Sequence, residues 1–347
     1  MEDLHSFLAS LGQEVEDAEE ESFLLFAQDI PSSNLGFVDS RATTIDIPIH
    51  DQDYTIHQSP TLLSSSRAGG TTGAVLWKIT PLFAEWISDT SNPLWANALL
   101  SPSSSVVELG CGISGLTALT LAPLVNHYLA TDQEYVHRLF RLNLESNPPR
   151  TQTPSSSSGG KSKGRKQAAK INPKSNKDKS NSSSDTTNGH PNITFTSLDW
   201  ELDHPETLKQ NIPTTNPPID EEEEEDKGFT LLLSCDCIYN EALIAPFVRT
   251  CAEISRLRPI LPSSSLSLSP TSPFPASRAR GTPAPESAKP TICIIAQQQR
   301  SPDVFEGWLV ETMKYFRVWR VNEDLLGGKL GGGSGYLVHV LVLKGDK

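Results

Sequence analysis

The 347-residue sequence predicts an α/β fold with a seven-stranded, mostly parallel sheet. Short, almost continuously apolar runs alternate with longer stretches of helical periodicity, which is typical of parallel strands covered by helices on both faces. Two further apolar runs near the end of the chain flank a glycine-rich stretch, as the strands of a hairpin do. The predicted strands are 105–110, 127–132, 192–200, 229–239 and 291–299, followed by the hairpin strands 317–321 and 336–343.

Helical periodicity follows four of these strands, and proline marks several of the boundaries. The second helix stops before Pro148, and the last has Ser301 as a capping residue with Pro302 at its first position. The predicted helices are 113–124, 134–147, 240–257 and 301–316. Ahead of this core, apolar residues alternate along 43–59, which predicts an extra two-stranded arm.

Composition divides the chain into an acidic N-terminal segment (1–42), a β-hairpin arm (43–69) and one domain (70–345). Low-complexity insertions interrupt this domain at 150–191, 203–228 and 262–290. Each has too little apolar content to offset the entropy of ordering, so we expect all three to be disordered. Without them roughly 250 residues remain, about the size of one domain.

The charge and the cysteines narrow the functional class. A formal charge of −13 argues against general nucleic-acid binding and suits a basic partner. The N-terminus is acidic where a signal sequence would be basic, and no apolar run approaches the ~20 residues of a membrane span. We therefore expect a cytoplasmic protein, with the nucleus as a second location. The five cysteines form no metal-binding pattern, so we expect reduced thiols and no metal, with Cys235 and Cys237 pointing the same way.

The glycines of the stretch VVELGCGISGL (106–116) follow a strand and open a helix, so a nucleotide should bind there, at the carboxyl end of the sheet. The spacing Gly110-x-Gly112-x-x-Gly115 is shared by dinucleotide oxidoreductases and methyltransferases. Glu108, just before the turn, would favour a cationic ligand such as S-adenosyl-L-methionine over a pyrophosphate. Asp132, at the end of the second strand, is placed to accept both hydroxyls of a ribose, and this fits NAD equally well.

Two further strand ends carry candidate residues. Trp200, after the third strand, is placed either to stack on an adenine or merely to pack a loop. Asp236 and Tyr239 follow the fourth strand, where a carboxylate and a phenol could orient a lysine amine and favour its neutral form. The structural alternative for Asp236 is that it caps the following helix.

Five motifs occur in an order that resembles the seven-β-strand protein-lysine methyltransferases of methyltransferase family sixteen. They are GAVLW (73–77), ELGCG (108–112), TD (131–132), LDW (198–200) and DCIY (236–239). Longer strings, including TTGAVLWKITPLF (71–83) and RSPDVF (300–305), resemble the fungal ribosomal-lysine methyltransferases of that family. The resemblance covers about 70–345 and implies a Rossmann-like, class I methyltransferase fold.

The resemblance also implies a cofactor, a site and a substrate. S-adenosyl-L-methionine would contact Trp77, Gly110, Cys111, Gly112, Asp132, Trp200 and Cys235. Asp236 and Tyr239 fall on the family's Asp-x-x-Tyr motif, beside the channel for the target lysine. The implied substrate is a large-subunit ribosomal protein of the lateral stalk, and we expect a monomeric enzyme.

Three other functions remain open at this level. An NAD-dependent oxidoreductase is disfavoured because the chain has no Tyr-x-x-x-Lys pair and because Glu108 would repel a pyrophosphate. A scaffold or chaperone that binds the cofactor without catalysis is a second alternative. If the protein is an enzyme, replacement of Asp236 by alanine should abolish methyl transfer while cofactor binding survives. Methylation of a small molecule or a nucleic acid is compatible with the same fold, because function lies in the site.

Overall fold

The computed structural model describes residues 2–29, 32–66, 70–149, 189–212, 228–258 and 289–345. The strands are β1 Thr44–Ile49, β2 Gln52–His57, β3 Ser105–Leu109, β4 His127–Asp132, β5 Ile193–Ser197, β6 Leu231–Cys235, β7 Ile292–Gln298, β8 Phe316–Arg320 and β9 Tyr336–Leu343. The α-helices are α1 Glu2–Leu11, α2 Ala18–Phe26, α3 Pro60–Leu63, α4 Ile79–Ser88, α5 Pro93–Ala96, α6 Leu116–Leu121, α7 Glu134–Ser146, α8 Glu241–Ser255, α9 Pro302–Tyr315 and α10 Glu323–Leu330. Short 3-10 helices occupy Ser32–Asn34, Thr72–Ala74, Ala122–Leu124 and Pro205–Asn211.

Seven strands form one sheet in the order β5-β4-β3-β6-β7-β9-β8. The first five in this order run parallel, while β9 pairs antiparallel with both β7 and β8. The order reverses at β3, so the crevice for a ligand lies at the carboxyl ends of β3, β4 and β6. The predicted fold class, a Rossmann-like, seven-stranded, mostly parallel sheet of the class I methyltransferase type, is confirmed.

Successive strand residues face opposite sides of the sheet and build two hydrophobic cores. Val106 contributes to the core beneath α4, α6 and α7, and Val107 to the core beneath α8 and α9. Because helices cover both faces of the sheet, side chains on both faces of each strand are buried, and the strand sequences are therefore continuously apolar. Ser301 caps α9 as predicted, its hydroxyl accepting from the Val304 amide at 3.5 Å.

The predicted arm is also present as the β1–β2 hairpin. Asn143 of α7 and Asn147, which caps the C-terminus of this helix, bind the hairpin with the hydrogen bonds that a neighbouring strand would make. Asn143 accepts from the amide of His57 at 2.7 Å and donates to its carbonyl at 2.9 Å, while Asn147 makes the same pair of bonds with Thr55. These bonds satisfy the edge of the hairpin and fix the arm on the domain.

The N-terminal segment, which the sequence analysis defines only by its acidic composition, contributes apolar residues to the core. Leu4, Phe7, Leu8 and Leu11 are spaced to form one face of α1, and all four are buried. The Val15 amide donates to the Val318 carbonyl at 2.8 Å, so the segment continues along the edge strand β8. It therefore belongs to the same packed unit as the sheet.

The beginning of the second predicted insertion is also structured. Pro205–Asn211 is a 3-10 helix that buries Leu208, because this leucine packs into the core beneath α8. The mean apolar content of 203–228 is low, and it gives no indication that Leu208 is buried. The parts of the predicted insertions at 150–188, 213–227 and 262–288 lie outside the described residues.

The closing hairpin contains an element that the glycine-rich sequence did not predict. The connection between β8 and β9 carries α10, which is interrupted at Gly327 by a left-handed φ of 70°. Within the described ranges, no helix has the length and hydropathy needed to cross a bilayer. The same residues hold no group of three His, Cys, Asp or Glu side chains arranged for a metal ion.

Candidate active site

A pocket of about 390 Å³ lies at the carboxyl ends of β3, β4 and β6. Every candidate residue from the sequence lines it, although strands and loops far apart in the chain supply them. These residues are Trp77, Glu108, Gly110, Cys111, Gly112, Asp132, Trp200, Cys235, Asp236 and Tyr239. The volume falls within the usual range of about 300–1,000 Å³ for small-molecule sites.

The floor of the pocket is the glycine turn after β3. Gly110 and Gly112 have φ angles of 69° and 61°, a region that L side chains rarely adopt. A side chain at Gly110 would also place its Cβ 2.3 Å from the Cys237 sulfur. Glycine is therefore required at position 110 for two reasons, conformation and space.

The amides of this turn already have acceptors inside the protein. Those of Gly110 and Cys111 donate to the Thr131 carbonyl at 2.9 and 3.1 Å. The Gly112 amide donates to Asp132 Oδ2 at 2.8 Å, and the Ile113 amide donates to the Gly73 carbonyl at 2.9 Å. Glycine turns that bind phosphate instead direct such amides at the ligand. This turn is thus not built as an anion cradle.

Asp132 stands at the end of β4 with two backbone donors. Besides the Gly112 amide, the Gln133 amide donates to its Oδ1 at 2.7 Å. Burial nevertheless raises the pKa of this carboxyl to about 6. Each carboxylate oxygen has a second lone pair, so two hydroxyls of a ribose could still be accepted.

Glu108 lines the pocket but is only 2% exposed. The Tyr128 hydroxyl donates to its Oε2 at 2.7 Å, and burial raises the pKa of Glu108 to about 7. The cofactor prediction from the sequence requires a full negative charge on Glu108. That premise is wrong for the protein alone, because a carboxyl with such a pKa is about half protonated at neutral pH.

Two tryptophans, Trp77 and Trp200, line the pocket. The Trp200 ring packs edge-to-face on Phe247, with centroids 5.1 Å apart, and lies beside Gly110. Its buried Nε1 has no hydrogen-bond partner among the described residues. Trp77 packs against Phe37 at 4.2 Å between centroids, and the Arg300 guanidinium lies 4.5 Å from its ring centroid.

Asp236 has a left-handed φ of 63° and a buried side chain. Arg300 forms a bidentate ion pair with it, one bond being 2.8 Å, and Gln298 donates to it from its side chain at 2.9 Å. Burial raises the pKa of Asp236, and the Arg300 guanidinium opposes the rise. A carboxylate so occupied is not free to orient a lysine amine directly, which corrects the predicted role.

The alternative role for Asp236, capping of the following helix, is also wrong. Asn240 caps α8 instead, its side chain accepting from the Ala242 amide at 3.1 Å. The position suits asparagine because its backbone is extended and a short side-chain oxygen reaches back into the first turn.

Tyr239 remains at the mouth of the pocket, where 37% of the residue is exposed. The Thr72 hydroxyl donates to its hydroxyl at 3.0 Å. Burial of the rest of the ring raises the pKa of the phenol, so Tyr239 is neutral at physiological pH. Its oxygen can still accept a further hydrogen bond from a ligand entering the mouth.

The cysteines near the site do not share one direction. Cys235 belongs to the core beneath α4, whereas Cys237 packs against the core beneath α8. The left-handed backbone of Asp236 ends the strand between them, and the alternation on which the prediction rested is lost. The buried Cys111 thiol has a pKa well above its usual range because of desolvation.

Sequence reasoning missed the residues that support the site from behind. Arg300 and Gln298 hold Asp236, Thr72 holds Tyr239, and Tyr128 holds Glu108. Arg300 opens the string RSPDVF that carried part of the resemblance, which was the available signal. Thr72 lies in the string TTGAVLWKITPLF, which carried the same signal, whereas Gln298 and Tyr128 are ordinary strand residues in the sequence.

No protein-family model matches this chain. A ribosomal lysine N-methyltransferase 5 of Zygosaccharomyces rouxii is 33% identical over 57% of this chain and 59% of that protein. The protein of the same name from Candida glabrata is 27% identical over 62% of this chain and 73% of that protein. The resemblance that the motifs predicted is confirmed. The chain nevertheless spans less than two thirds of the Zygosaccharomyces protein.

A third relative carries a different name. A diaminohydroxyphosphoribosylamino-pyrimidine deaminase of Schizosaccharomyces pombe is 37% identical over 38% of this chain and 32% of that protein. The match therefore involves only a third of the longer protein. Among solved structures, the N-methyltransferase NodS of Bradyrhizobium japonicum is 9% identical, with a TM-score of 0.33, over 76% of this chain and 93% of that chain. A likeness at this level supports no conclusion about activity.

Proposed function

We propose that this protein is an S-adenosyl-L-methionine-dependent protein-lysine N-methyltransferase. The observation that carries the proposal is a glycine turn with internally bonded amides beside two carboxyls in the same pocket, Glu108 buried and Asp132 partly buried. A pyrophosphate would find no amide donors from residues 110–113, and its negative charge would oppose ionisation of Glu108 and Asp132. A cationic nucleoside gains from the same carboxyls.

The residues of the pocket fit such a cofactor. Asp132 would accept the ribose hydroxyls, and Trp200 supplies a flat apolar face with a buried, unpartnered indole nitrogen. Glu108 would lose its proton when a cation binds beside it, because an opposite charge stabilises the ionised form. Trp77, Cys111 and Cys235 would close the remaining walls.

The chemistry requires a neutral amine at the mouth of the pocket. S-adenosyl-L-methionine supplies an electrophilic methyl group, which passes to an amine nitrogen held in line with it. A lysine ammonium has an ordinary pKa of about 10.4, so desolvation on entering the mouth must help to remove its proton. Tyr239 can accept a hydrogen bond from the nitrogen, while Asp236 and Arg300 hold the strand end that carries it.

We propose a large-subunit ribosomal protein of the lateral stalk as the substrate. Two relatives named as ribosomal lysine N-methyltransferases support a ribosomal protein, and the stalk is the finer part of the proposal. A basic ribosomal protein complements the charge of −13, and direct binding to nucleic acid is not expected. We further propose a monomer that works in the cytoplasm, with the nucleus as a second location.

The deaminase name does not transfer to this chain. Zinc-dependent base deaminases use a Pro-Cys-x-x-Cys stretch with a further His or Cys ligand. None of the five cysteines here lies three positions from another. The described residues also offer no metal-binding cluster.

The proposal is tested with tritiated S-adenosyl-L-methionine and proteins of the large ribosomal subunit from a strain lacking this enzyme. We expect one labelled protein, with the methyl group on a lysine nitrogen by mass spectrometry. Stabilisation of the protein by NAD but not by S-adenosyl-L-methionine in a thermal shift would favour the oxidoreductase instead.

Asp236→Asn separates the enzyme from a scaffold that only binds the cofactor. Asparagine tolerates the left-handed φ of 63° and keeps the shape, so the variant should fold where Asp236→Ala would add backbone strain. We expect loss of about 100-fold or more in methyl transfer, since the mouth loses its support, with cofactor affinity within about threefold. Full activity of the variant would remove Asp236 from the mechanism.

A further inference from the structure

A second groove lies between α2 and α9, next to the proposed active site. It encloses about 630 Å³, and we name it the α2–α9 groove. Its lining residues are Asp17, Glu19, Glu20, Ser22, Phe23, Phe26, Ala27, Pro302 and Glu306. Phe26 packs on Phe305 of α9, with ring centroids 5.7 Å apart, so the two helices form a fixed wall.

The groove exposes more apolar surface than the fold requires. Phe23, which lines the groove, is 71% exposed, and the adjacent Leu24, which lies outside the lining, is 51% exposed. On the same helix Leu25 is buried in the core, so α2 is already anchored without these two side chains. Large neighbouring apolar side chains left in water indicate a surface that a partner covers.

The rim of the groove is acidic. Glu19, Glu20 and Glu306 form no ion pair with any basic side chain in the described ranges, whereas the neighbouring Glu21 pairs with Arg320 at 2.7 Å. Glu19 and Glu20 also favour the N-terminus of α2 through the helix dipole. Glu306 lies in the second turn of α9, where the helix dipole contributes little, so the dipole does not account for its position. The negative charges of Glu19, Glu20 and Glu306 therefore favour a cationic partner.

The groove and the active-site pocket are neighbours, because a third cavity shares lining residues with both. A small cavity of about 30 Å³ lies between them and is lined by Phe26, Tyr239 and Arg300 among others. Tyr239 also lines the active-site pocket, and Phe26 also lines the groove. A chain lying in the groove would therefore reach the mouth at Tyr239.

We propose that the α2–α9 groove binds a basic segment of the methylated protein that also carries an apolar side chain for Phe23. The inference rests on the proposed function and names the surface by which that substrate is recognised. Helix α2 has nine residues, which corresponds to about 13 Å, or roughly four residues of extended chain. The groove thus binds a short stretch of the methylated protein beside the target lysine.

The test compares two charge-reversal variants with the same change in net charge. Glu20→Lys with Glu306→Lys alters the groove, and Asp53→Lys with Glu206→Lys alters exposed residues of β2 and of the 3-10 helix Pro205–Asn211. The probe is the acid-extracted protein of the large ribosomal subunit, assayed for binding without cofactor and for labelling with tritiated S-adenosyl-L-methionine. Phe23→Ala is a third variant, chosen because its side chain is exposed.

We expect the groove reversal to raise the KM for protein about tenfold, with kcat and cofactor affinity unchanged. Phe23→Ala should raise it about fivefold, and the control reversal should leave it within about twofold. Equal KM values for the wild type and the groove variants would overturn the proposal, even if labelling proceeds. Binding of the probe without methyl transfer would instead contradict the proposed function and would still support the groove as a binding surface for this protein.

Two other occupants give distinct results. A concentration-dependent dimer that dissociates in Phe23→Ala, seen by analytical ultracentrifugation, would assign the groove to a second copy of the chain. Residues 155–183 are rich in lysine and could themselves occupy the groove. Tighter probe binding by a chain that lacks these residues would assign the groove to this segment. Either result would overturn the proposal.

Discussion

The cofactor side and the substrate side of the pocket are built from very different ranges of the chain. On the cofactor side, Asp132 accepts from Gly112, only 20 positions away, and both lie in one strand–turn–helix–strand unit. On the substrate side, Asp236 pairs with Arg300, 64 positions away, and Gln298 bonds Gly36 across 262 positions. The glycine turn and Asp132 form a local structure, although Trp77, Trp200 and Cys235 come from other elements, whereas the substrate side is assembled by the whole fold.

This difference extends to what each side does. The cofactor side is preorganised by backbone conformation, since its turn amides are bonded to acceptors within the protein. The substrate side depends on a buried ion pair whose partners come from separate elements. The substrate side should therefore lose more stability than the cofactor side when a single charge is changed.

Arg300→Met should give the largest effect, because it leaves Asp236 buried without its ion-pair partner. The Asp236 side chain is 1% exposed and that of Arg300 25% exposed, so we expect a loss of about 3 kcal/mol in unfolding free energy, the lower end for a broken buried pair. Urea denaturation measures it. The double variant Asp236→Asn with Arg300→Met should recover part of the loss. A change below about 1 kcal/mol, as for a surface pair, would contradict the comparison.

The same contrast explains what could be predicted from the sequence. The turn at Gly110 and the carboxyl of Asp132 follow from strand periodicity and short spacing, and the structure brings both to the pocket. The left-handed φ of Asp236 and its pairing with Arg300 depend on where β7 lies beside β6. No local pattern contains that information.

The N-terminal helices show a second kind of information that composition does not supply. The acidic residues around Glu20 dominated the composition of the first 42 residues and hid the apolar face of α1. Burial of Leu4 and Phe7 is decided by that periodic face and not by the mean composition. Similarly, the charge of Glu108 was misjudged because desolvation depends on tertiary burial, which raises its pKa to about 7.

Glu108→Gln should have the next largest effect, and its sign depends on pH. The folded pKa of about 7 lies above the ordinary value of 4.5, so the folded state holds the proton more tightly. Wild-type stability should therefore fall as pH rises from 4.5 to 7, by up to about 3 kcal/mol. The variant lacks this loss and should be more stable at pH 8, while it binds S-adenosyl-L-methionine more weakly.

The control for this prediction is Glu201→Gln, which lines the same pocket but is exposed. It should change neither the pH profile of unfolding nor the affinity for the cofactor. Calorimetry in two buffers of different ionisation enthalpy should detect proton release when the wild type binds the cofactor at pH 7. Equal pH profiles for wild type and Glu108→Gln would show that Glu108 is ionised throughout.

Tyr239→Phe should have the smallest effect, because this residue lies where the two sides meet and is partly exposed. Loss of the hydroxyl removes one acceptor for the amine, worth about 1 kcal/mol, so we expect kcat to fall about fivefold to tenfold with stability nearly unchanged. Thr72→Val keeps the phenol and removes only the bond that holds it. If the hydroxyl itself contacts the amine, Thr72→Val should retain most of the activity. Equal losses in the two variants would mean that Tyr239 acts only by fixing the mouth, and steady-state kinetics at saturating cofactor distinguishes these outcomes.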